Sequence, residues 1–96
     1  MKYQLVLTNR SLSDIEKARA WYNKQQTGLG TKFSDAVFKG IEVVHNNPEG
    51  NEVKYRFTRE KLIKKFPYLI IYSVEENIIF ILRVFHCKQS PKKKHR

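Results

Sequence analysis

The stretch Lys64–Val74, with the sequence KKFPYLIIYSV, decides how this chain folds. Two lysines and a Phe-Pro corner lead directly into an aromatic and aliphatic run. One face of the strand predicted there carries four apolar residues at alternate positions: Tyr68, Ile70, Tyr72 and Val74. Leu69 and Ile71 occupy the other face, so the strand is apolar on both sides and belongs near the centre of a sheet. Pro67 stands at its start, where a missing N–H removes no ladder hydrogen bond.

Further strands are predicted on either side of this stretch. Glu75–Asn77 indicates a tight hairpin turn, after which Ile78–His86 returns as a strand that is apolar apart from Arg83. Ahead of it, residues 52–59 (EVKYRFTR) alternate between apolar and polar positions, which predicts one strand with its apolar side chains on one face. The run Tyr3–Thr8 predicts a short first strand.

Two helices are predicted between the first and second strands. Ser13 and Glu16 have the spacing of a capping box, and the apolar period that follows predicts a helix over Ser13–Gln26. Gly28 can take the left-handed conformation of a helix cap, and Gly30 lets the chain reverse. The second helix has a buried stripe at helical spacing: Phe33, Ala36, Val37, Gly40, Ile41 and Val44. Two helices joined this closely are expected to pack antiparallel.

The predicted fold is therefore of the α+β class, with the order β-α-α-β-β-β. A helical hairpin is expected to pack on one face of a twisted antiparallel sheet. The 96 residues suffice for a single domain, 1–96, because a second core would bury too little apolar surface. Residues from about 89 to 96 are expected to form a basic, flexible tail.

The net charge of +10 is concentrated in the second half of the chain. Residues 1–50 carry seven Lys and Arg against five Asp and Glu, whereas residues 51–96 carry twelve against four. Clustered basic charge is typical of proteins that bind a polyanion or a strongly acidic surface. The alternative is a solvated basic surface that favours solubility.

Several functional classes are excluded by what the sequence lacks. It has no apolar run of about 18 residues and no signal-peptide pattern, which predicts a protein outside the membrane. The single Cys87 cannot form an internal disulfide, which suits the cytoplasm. The three histidines fall in different elements, so neither a metal nor another cofactor is expected. Metalloprotease and nucleophile-elbow motifs are absent.

Basic residues are the remaining candidates for a functional site. Those on or beside the last strands are Arg56, Arg59, Lys61, Lys64, Lys65, Arg83, His86 and Lys88. Such a group can bind phosphates, and it can stabilise the charge that develops on a phosphate during cleavage. His86 has a side chain suited to proton transfer near neutral pH. The alternative for each of these residues is a solvated surface position.

The chain resembles the RelE/ParE superfamily of toxins from bacterial type II toxin–antitoxin pairs. The segments that carry this resemblance are AWYNKQQTGLGTKF (20–33), IEVVHNNP (41–48), YRFTREKLIKKFPYLIIYSV (55–74) and RVFHCKQSP (83–91). The resemblance implies the same β-α-α-β-β-β fold. It also implies a cognate antitoxin, whose acidic or amphipathic tail would cover the basic surface of the toxin.

The superfamily divides into two mechanisms. RelE-type members cut messenger RNA on the ribosome with Lys and Arg residues from the sheet and a C-terminal tyrosine or similar group. ParE-type members poison DNA gyrase. Here Leu69 stands where RelE-type toxins have a catalytic arginine, and no tyrosine follows Tyr72. Arg56 matches a basic position of the nuclease branch.

The GLG turn and the FPY corner are more similar to the ParE-type branch, whose members include plasmid-stabilisation toxins. Many relatives end in the pattern H-x-x-R-x-P-x-x-W. In this chain that pattern begins at His86, but Gln89 replaces its arginine and Lys94 its tryptophan. Lys88 offers a charge one position away without the bidentate geometry of arginine.

The resemblance therefore implies a ParE-like toxin that binds a cellular target, expected to be DNA gyrase, and that a cognate antitoxin neutralises. The residues expected to bind the target are Lys61, Lys64, Lys65, Lys88, Lys92 and Lys93. One alternative is a metal-independent endoribonuclease acting on messenger RNA at the ribosome, with Arg56, Arg59, Arg83 and His86 as catalytic residues. Another is a degenerate toxin that retains only antitoxin binding and autoregulation. The sequence leaves open whether the chain is an enzyme and whether it forms a homo-oligomer.

Overall fold

Two helices pack on one face of a five-stranded sheet in the computed structural model, which describes residues 2–88. The elements in chain order are β1 (Gln4–Leu7), α1 (Asn9–Gln25), α2 (Leu29–Asn46), β2 (Val53–Tyr55), β3 (Thr58–Leu62), β4 (Tyr68–Glu75) and β5 (Ile78–His86). The strands lie in the order β1-β5-β4-β3-β2. The predicted α+β class, with a helical hairpin on a sheet, is confirmed.

The stretch that was expected to be central does occupy the middle of the sheet. β4 pairs with β5 on one side and with β3 on the other, both antiparallel. Ile70 and Tyr72 are fully buried towards the helices, and Ile71 is buried on the opposite face. The main core is formed by Ile15, Ala18, Phe33, Val37, Ile41, Val44, Ile63, Ile70, Tyr72, Ile79, Ile81 and Val84. The Glu76–Asn77 turn joins β4 to β5 as predicted.

The direction of β1 differs from the expected antiparallel sheet. β1 runs parallel to β5, with Gln4 opposite Ile78 and Leu7 opposite Ile81. The short edge strand meets a partner more than 70 residues away in the chain. Hydrophobic alternation identifies a strand but not the direction of its neighbour, so the pattern could not predict this pairing.

The start of α1 also differs from the prediction. The helix begins at Asn9, four residues before Ser13, and Thr8 is its N-cap. The Thr8 Oγ1 accepts the N–H of Ser11 at 3.1 Å and donates to the carbonyl of Ile81 at 2.9 Å. One side chain thus caps the helix and ties it to β5, so the chain passes directly from strand to helix. Glu16, expected in the capping box, instead pairs with Arg19 at 2.9 Å.

The predicted single strand over residues 52–59 is wrong. Arg56 and Phe57 form a tight turn between β2 and β3, which makes five strands instead of four. Arg56 has φ of 54°, a left-handed conformation that arginine adopts at a cost. Phe57, expected on an apolar face with Val53 and Tyr55, is 62% exposed at the turn. Without glycine or asparagine in this segment, the sequence carried no signal for the turn.

The two glycines between the helices have different roles. Gly28 takes φ of 87°, the expected left-handed conformation, but it is the N-cap of α2, whereas the C-cap of α1 is Gln26. Gly30, expected in the reversal, lies in the first turn of α2, where the helices approach closely. A Cβ there would lie 2.3 Å from the carbonyl oxygen of Arg19 and 2.6 Å from Cγ of Asn23. The helical hairpin therefore needs a residue without a side chain at this position.

Candidate functional site

A cleft of about 610 Å³ lies between α1 and the ends of β4 and β5. Its lining residues are Asp14, Lys17, Ala18, Trp21, Tyr22, Pro67, Tyr68, Arg83, Val84 and His86. The helix contributes its residues at the spacing i, i+3, i+4, i+7 and i+8, so they follow one face of α1. The strands contribute residues at one end of the sheet, where β4 begins at Tyr68 and β5 ends at His86.

Aromatic rings support and line this cleft. The ring of Tyr68 packs edge-to-face against Phe33 at 4.9 Å and against His86 at 5.1 Å. Tyr22 stacks on Phe33 at 5.2 Å, and Trp21 meets Tyr22 edge-on at 5.0 Å. These contacts hold the rings in fixed orientations.

Burial makes two of these phenols less acidic. It raises the pKa of Tyr22 and of Tyr68 above the usual value of 10.0. Both phenols would be neutral at physiological pH even at that usual value, and burial favours the protonated form further. Trp21 is different, because 56% of its surface is exposed at the cleft.

Arg83 is held by Asp14 within the cleft. The Nε of Arg83 donates to Asp14 Oδ2 at 2.7 Å and its Nη2 donates to Oδ1 at 3.2 Å. Each of the two side chains is only 16% exposed. Asp14 Oδ2 also accepts the backbone N–H of Val84 at 3.0 Å, beyond the end of β1. This carboxylate therefore neutralises Arg83 and fills the position that a longer β1 would occupy along β5.

His86 stands at the mouth of the cleft, at the end of β5. Its Nδ1 accepts the backbone N–H of Lys88 at 3.0 Å. An accepting Nδ1 carries no proton, so the proton of the neutral ring is on Nε2. This hydrogen bond accompanies the turn of the chain at residues 87 and 88 and leaves Nε2 free of that contact.

Lysines follow the cleft at the same end of the sheet. We call Lys64, Lys65 and Lys88 the basic rim. The first two form the exposed turn between β3 and β4, where Lys65 has φ of 72°. The N–H of Cys87 donates to the carbonyl of Pro67 at 2.8 Å, which places the third lysine beside that turn. Lys61 lies further back in β3, opposite Ile70, and is half-buried.

The structure does not bring the four proposed catalytic residues together. Arg83 and His86 line the cleft, whereas Arg56 lies in the β2–β3 turn. His86 is level with Tyr68, and Thr58 at the start of β3 is level with Ser73, five residues further along β4. At about 3.3 Å per residue and two strands across, the separation is roughly 19 Å. The turn lies beyond that point.

Arg59 has a separate position in the sheet. Its guanidinium donates to the carbonyl of Asn51, whose side chain donates to the Tyr72 hydroxyl at 3.2 Å. The Tyr72 hydroxyl in turn donates to the carbonyl of Pro48 at 2.8 Å. These bonds hold the loop between α2 and β2. Arg59 therefore has a structural partner on the loop and not in the cleft.

Sequence reasoning missed the helix side of the cleft. Asp14, Lys17 and Trp21 were not among the expected site residues, although their spacing places them on one face of a helix. Their spacing could have predicted that they share a helix face, but nothing in the sequence indicated that this face borders the end of β5.

Leu69, at the position of the RelE-type arginine, follows Tyr68 in β4 and so points to the opposite face. Lys92, Lys93, Gln89 and Lys94 lie outside the described residues, as does the predicted tail.

Residues 2–88 provide no cluster of three or more His, Cys, Asp or Glu side chains that could hold a metal ion. Neither of the helices in this part of the chain is long and apolar enough to cross a membrane.

The fold, two helices on one face of a five-stranded sheet with the basic rim at one end, defines a class of small α+β proteins. Solved structures include chains with this fold. A chain of the chromosomal ParDE toxin–antitoxin system from P. aeruginosa superposes with a TM-score of 0.81. The alignment covers 90% of this chain and 97% of that chain, at 14% sequence identity, and so shows the shared fold. No curated protein sequence matches the chain.

Residues 5–91 match the model of the ParE toxin of type II toxin–antitoxin systems, parDE. The chain belongs to this ParE toxin family, which confirms the family resemblance seen in its sequence.

Proposed function

We propose that this protein is the toxin of a type II toxin–antitoxin pair and inhibits growth by binding a cellular target, DNA gyrase, in the cytoplasm. Membership of the ParE family supports the toxin assignment. The observation that favours a binding mechanism is the Asp14–Arg83 pair. An arginine that already shares its charge with a carboxylate is poorly suited to stabilise a phosphate transition state.

The target-binding surface in this proposal includes the basic rim. Lys64, Lys65 and Lys88 are exposed and project from the end of the sheet, and Lys61, Lys92 and Lys93 are proposed to extend the same surface. Exposed lysines attract an acidic partner over several ångströms and lose part of that attraction when salt is added. The same charges would draw in the antitoxin, whose acidic segment is proposed to compete with the target.

The decisive experiment is expression in a bacterial host that lacks the antitoxin. Pulse-labelling follows new protein, RNA and DNA during the first minutes. DNA synthesis should stop first, and purified protein should inhibit supercoiling by gyrase. Co-expression of a cognate antitoxin should restore growth.

Matched variants connect this activity to the surface. The double variant Lys64→Gln/Lys65→Gln should weaken gyrase inhibition by about tenfold, since each rim contact with an acidic surface contributes up to about 1 kcal/mol. The control Lys32→Gln/Lys39→Gln removes two exposed lysines from α2 and should leave inhibition unchanged.

Other outcomes would redirect the assignment. If protein synthesis stops first, the endoribonuclease alternative takes precedence, with the cleft residues Arg83 and His86 as its starting point. If all three syntheses continue while the protein still binds its antitoxin, the chain is a degenerate toxin.

A further inference from the structure

The cleft beside α1 combines aromatic rings with few aliphatic side chains. Four of its ten lining residues have aromatic rings, namely Trp21, Tyr22, Tyr68 and His86. Its aliphatic lining is limited to Ala18, Val84 and the ring of Pro67. Aromatic faces exposed in a groove can stack with planar groups, and nucleic-acid bases are planar.

The charges around the cleft suit a ligand with phosphates. Lys17 lies within the lining, and the basic rim begins three residues before Pro67, at Lys64. Each rim lysine lies within three residues of Pro67 or of its hydrogen-bonded neighbour Cys87, so within about 11 Å of backbone. The one carboxylate of the lining, Asp14, is occupied by Arg83 and by the N–H of Val84. It therefore presents little free negative charge to a phosphate.

We propose that this cleft binds single-stranded nucleic acid, with a base stacked on Trp21 and backbone phosphates on Lys17 and the basic rim. Proteins that bind single strands without sequence preference combine these two features, aromatic platforms and a basic track. Tyr68 and His86, which also line the cleft, are side chains that can hydrogen-bond to a nucleotide. This proposal does not depend on gyrase being the cellular target.

Trp21 is also a direct probe, because it is the only tryptophan of the chain. Titration with a short oligothymidylate at low salt should quench its fluorescence. A fluorescein-labelled copy of the oligomer gives the dissociation constant of each variant by anisotropy. An oligouridylate of the same length separates DNA from RNA as the source of the ligand, and tighter binding of either one supports the proposal.

Two matched pairs of variants test the two halves of the site. Trp21→Ala should raise the dissociation constant about fivefold or more, the effect expected when one stacking platform is lost. Phe57→Ala is its control, because Phe57 is similarly exposed, at 62%, but lies at the far end of the sheet. Lys64→Gln/Lys65→Gln should reduce the slope of log K against log salt by about 1.4, from two lost phosphate contacts on a single strand. Lys32→Gln/Lys39→Gln should leave that slope unchanged.

Clear results would overturn the proposal. Stacking on Trp21 is refuted if Trp21→Ala and Phe57→Ala bind equally, with circular dichroism showing both variants folded. If base-free inorganic polyphosphate or polyglutamate binds as tightly as the oligomer at equal charge, the cleft responds to charge alone and has no base site.

Discussion

Replacing Asp14 with alanine should remove three hydrogen bonds and leave two groups without their partners. The buried N–H of Val84 would lose its acceptor, a loss of about 1–3 kcal/mol. Arg83 would lose its counter-charge, and breaking a buried ion pair costs about 3–5 kcal/mol. Both side chains retain 16% exposure, so water compensates in part. We therefore expect the free energy of unfolding to fall by about 2–4 kcal/mol, from a total of about 5–14 kcal/mol for a chain of this length.

A double-mutant cycle with Asp14→Ala and Arg83→Ala, measured by urea denaturation, isolates the energy of the pair. Its coupling energy should be about 1–3 kcal/mol, as for contacting residues in a shared network. The matched control is the exposed pair Glu16–Arg19, whose side chains are 66% and 39% exposed. That coupling should be about 0.3–0.5 kcal/mol and should largely disappear in 1 M salt, whereas the Asp14–Arg83 coupling should persist.

The same double-mutant cycle distinguishes a structural role of Arg83 from a catalytic one. If Arg83 has a structural role, growth inhibition should follow the folded fraction of each variant, and the double variant should retain activity. A coupling energy for Asp14–Arg83 no larger than that of the control pair would refute this reasoning. In that case the guanidinium would be free for chemistry, and Arg83→Ala alone should abolish toxicity in a protein that remains folded.

Three more predictions concern the backbone and pH. Gly30→Ala should destabilise the fold by about 2–3 kcal/mol, because its Cβ would collide with the Arg19 carbonyl, whereas Gly28→Ala, in open space at positive φ, should cost only about 1–2 kcal/mol. Thermal melts of both variants check that Gly30→Ala is the less stable of the two. Arg56→Gly should raise stability by about 0.5–1 kcal/mol, because glycine relieves the left-handed strain at φ of 54° despite its greater freedom when unfolded. Burial raises the pKa of Tyr72 above the unfolded value of 10.0, so the folded state holds that proton more tightly. The resulting stability should be complete below about pH 10 and decline as pH rises through the folded pKa, and the decline in urea midpoint should be shallower in Tyr72→Phe.

Much of the fold could be predicted because its signals are local. The alternation in Lys64–Val74 showed a strand that is apolar on both faces, and β4 is the central strand. The stripe from Phe33 to Val44 showed a helix with one buried face, and α2 buries these positions. Gly28 marked the break between the helices because few other residues take its φ. In each case the required information lies within about a dozen neighbouring residues.

The candidate site was predicted less well, because it depends on residues that are far apart in the chain. The basic rim was anticipated, since Lys64 and Lys65 adjoin the decisive strand. The helix wall of the cleft was not anticipated, because no local pattern places Trp21 beside His86. Arg56 looked like one more strand residue, and only the folded chain shows it in a turn.

Local periodicity and charge were thus sufficient for the class of fold, the central strand and the basic end of the molecule. Tertiary structure decided which charges are available. Asp14 and Arg83 are 69 residues apart, and they meet because β1 ends at Leu7 and α1 then crosses the open edge of β5. Strand order and register place these groups within 2.7 Å of each other. Sequence spacing cannot predict such a contact. The contact forms only after β1 has paired with β5 and the Asp14 carboxylate has exchanged water for hydrogen bonds to Arg83 and Val84.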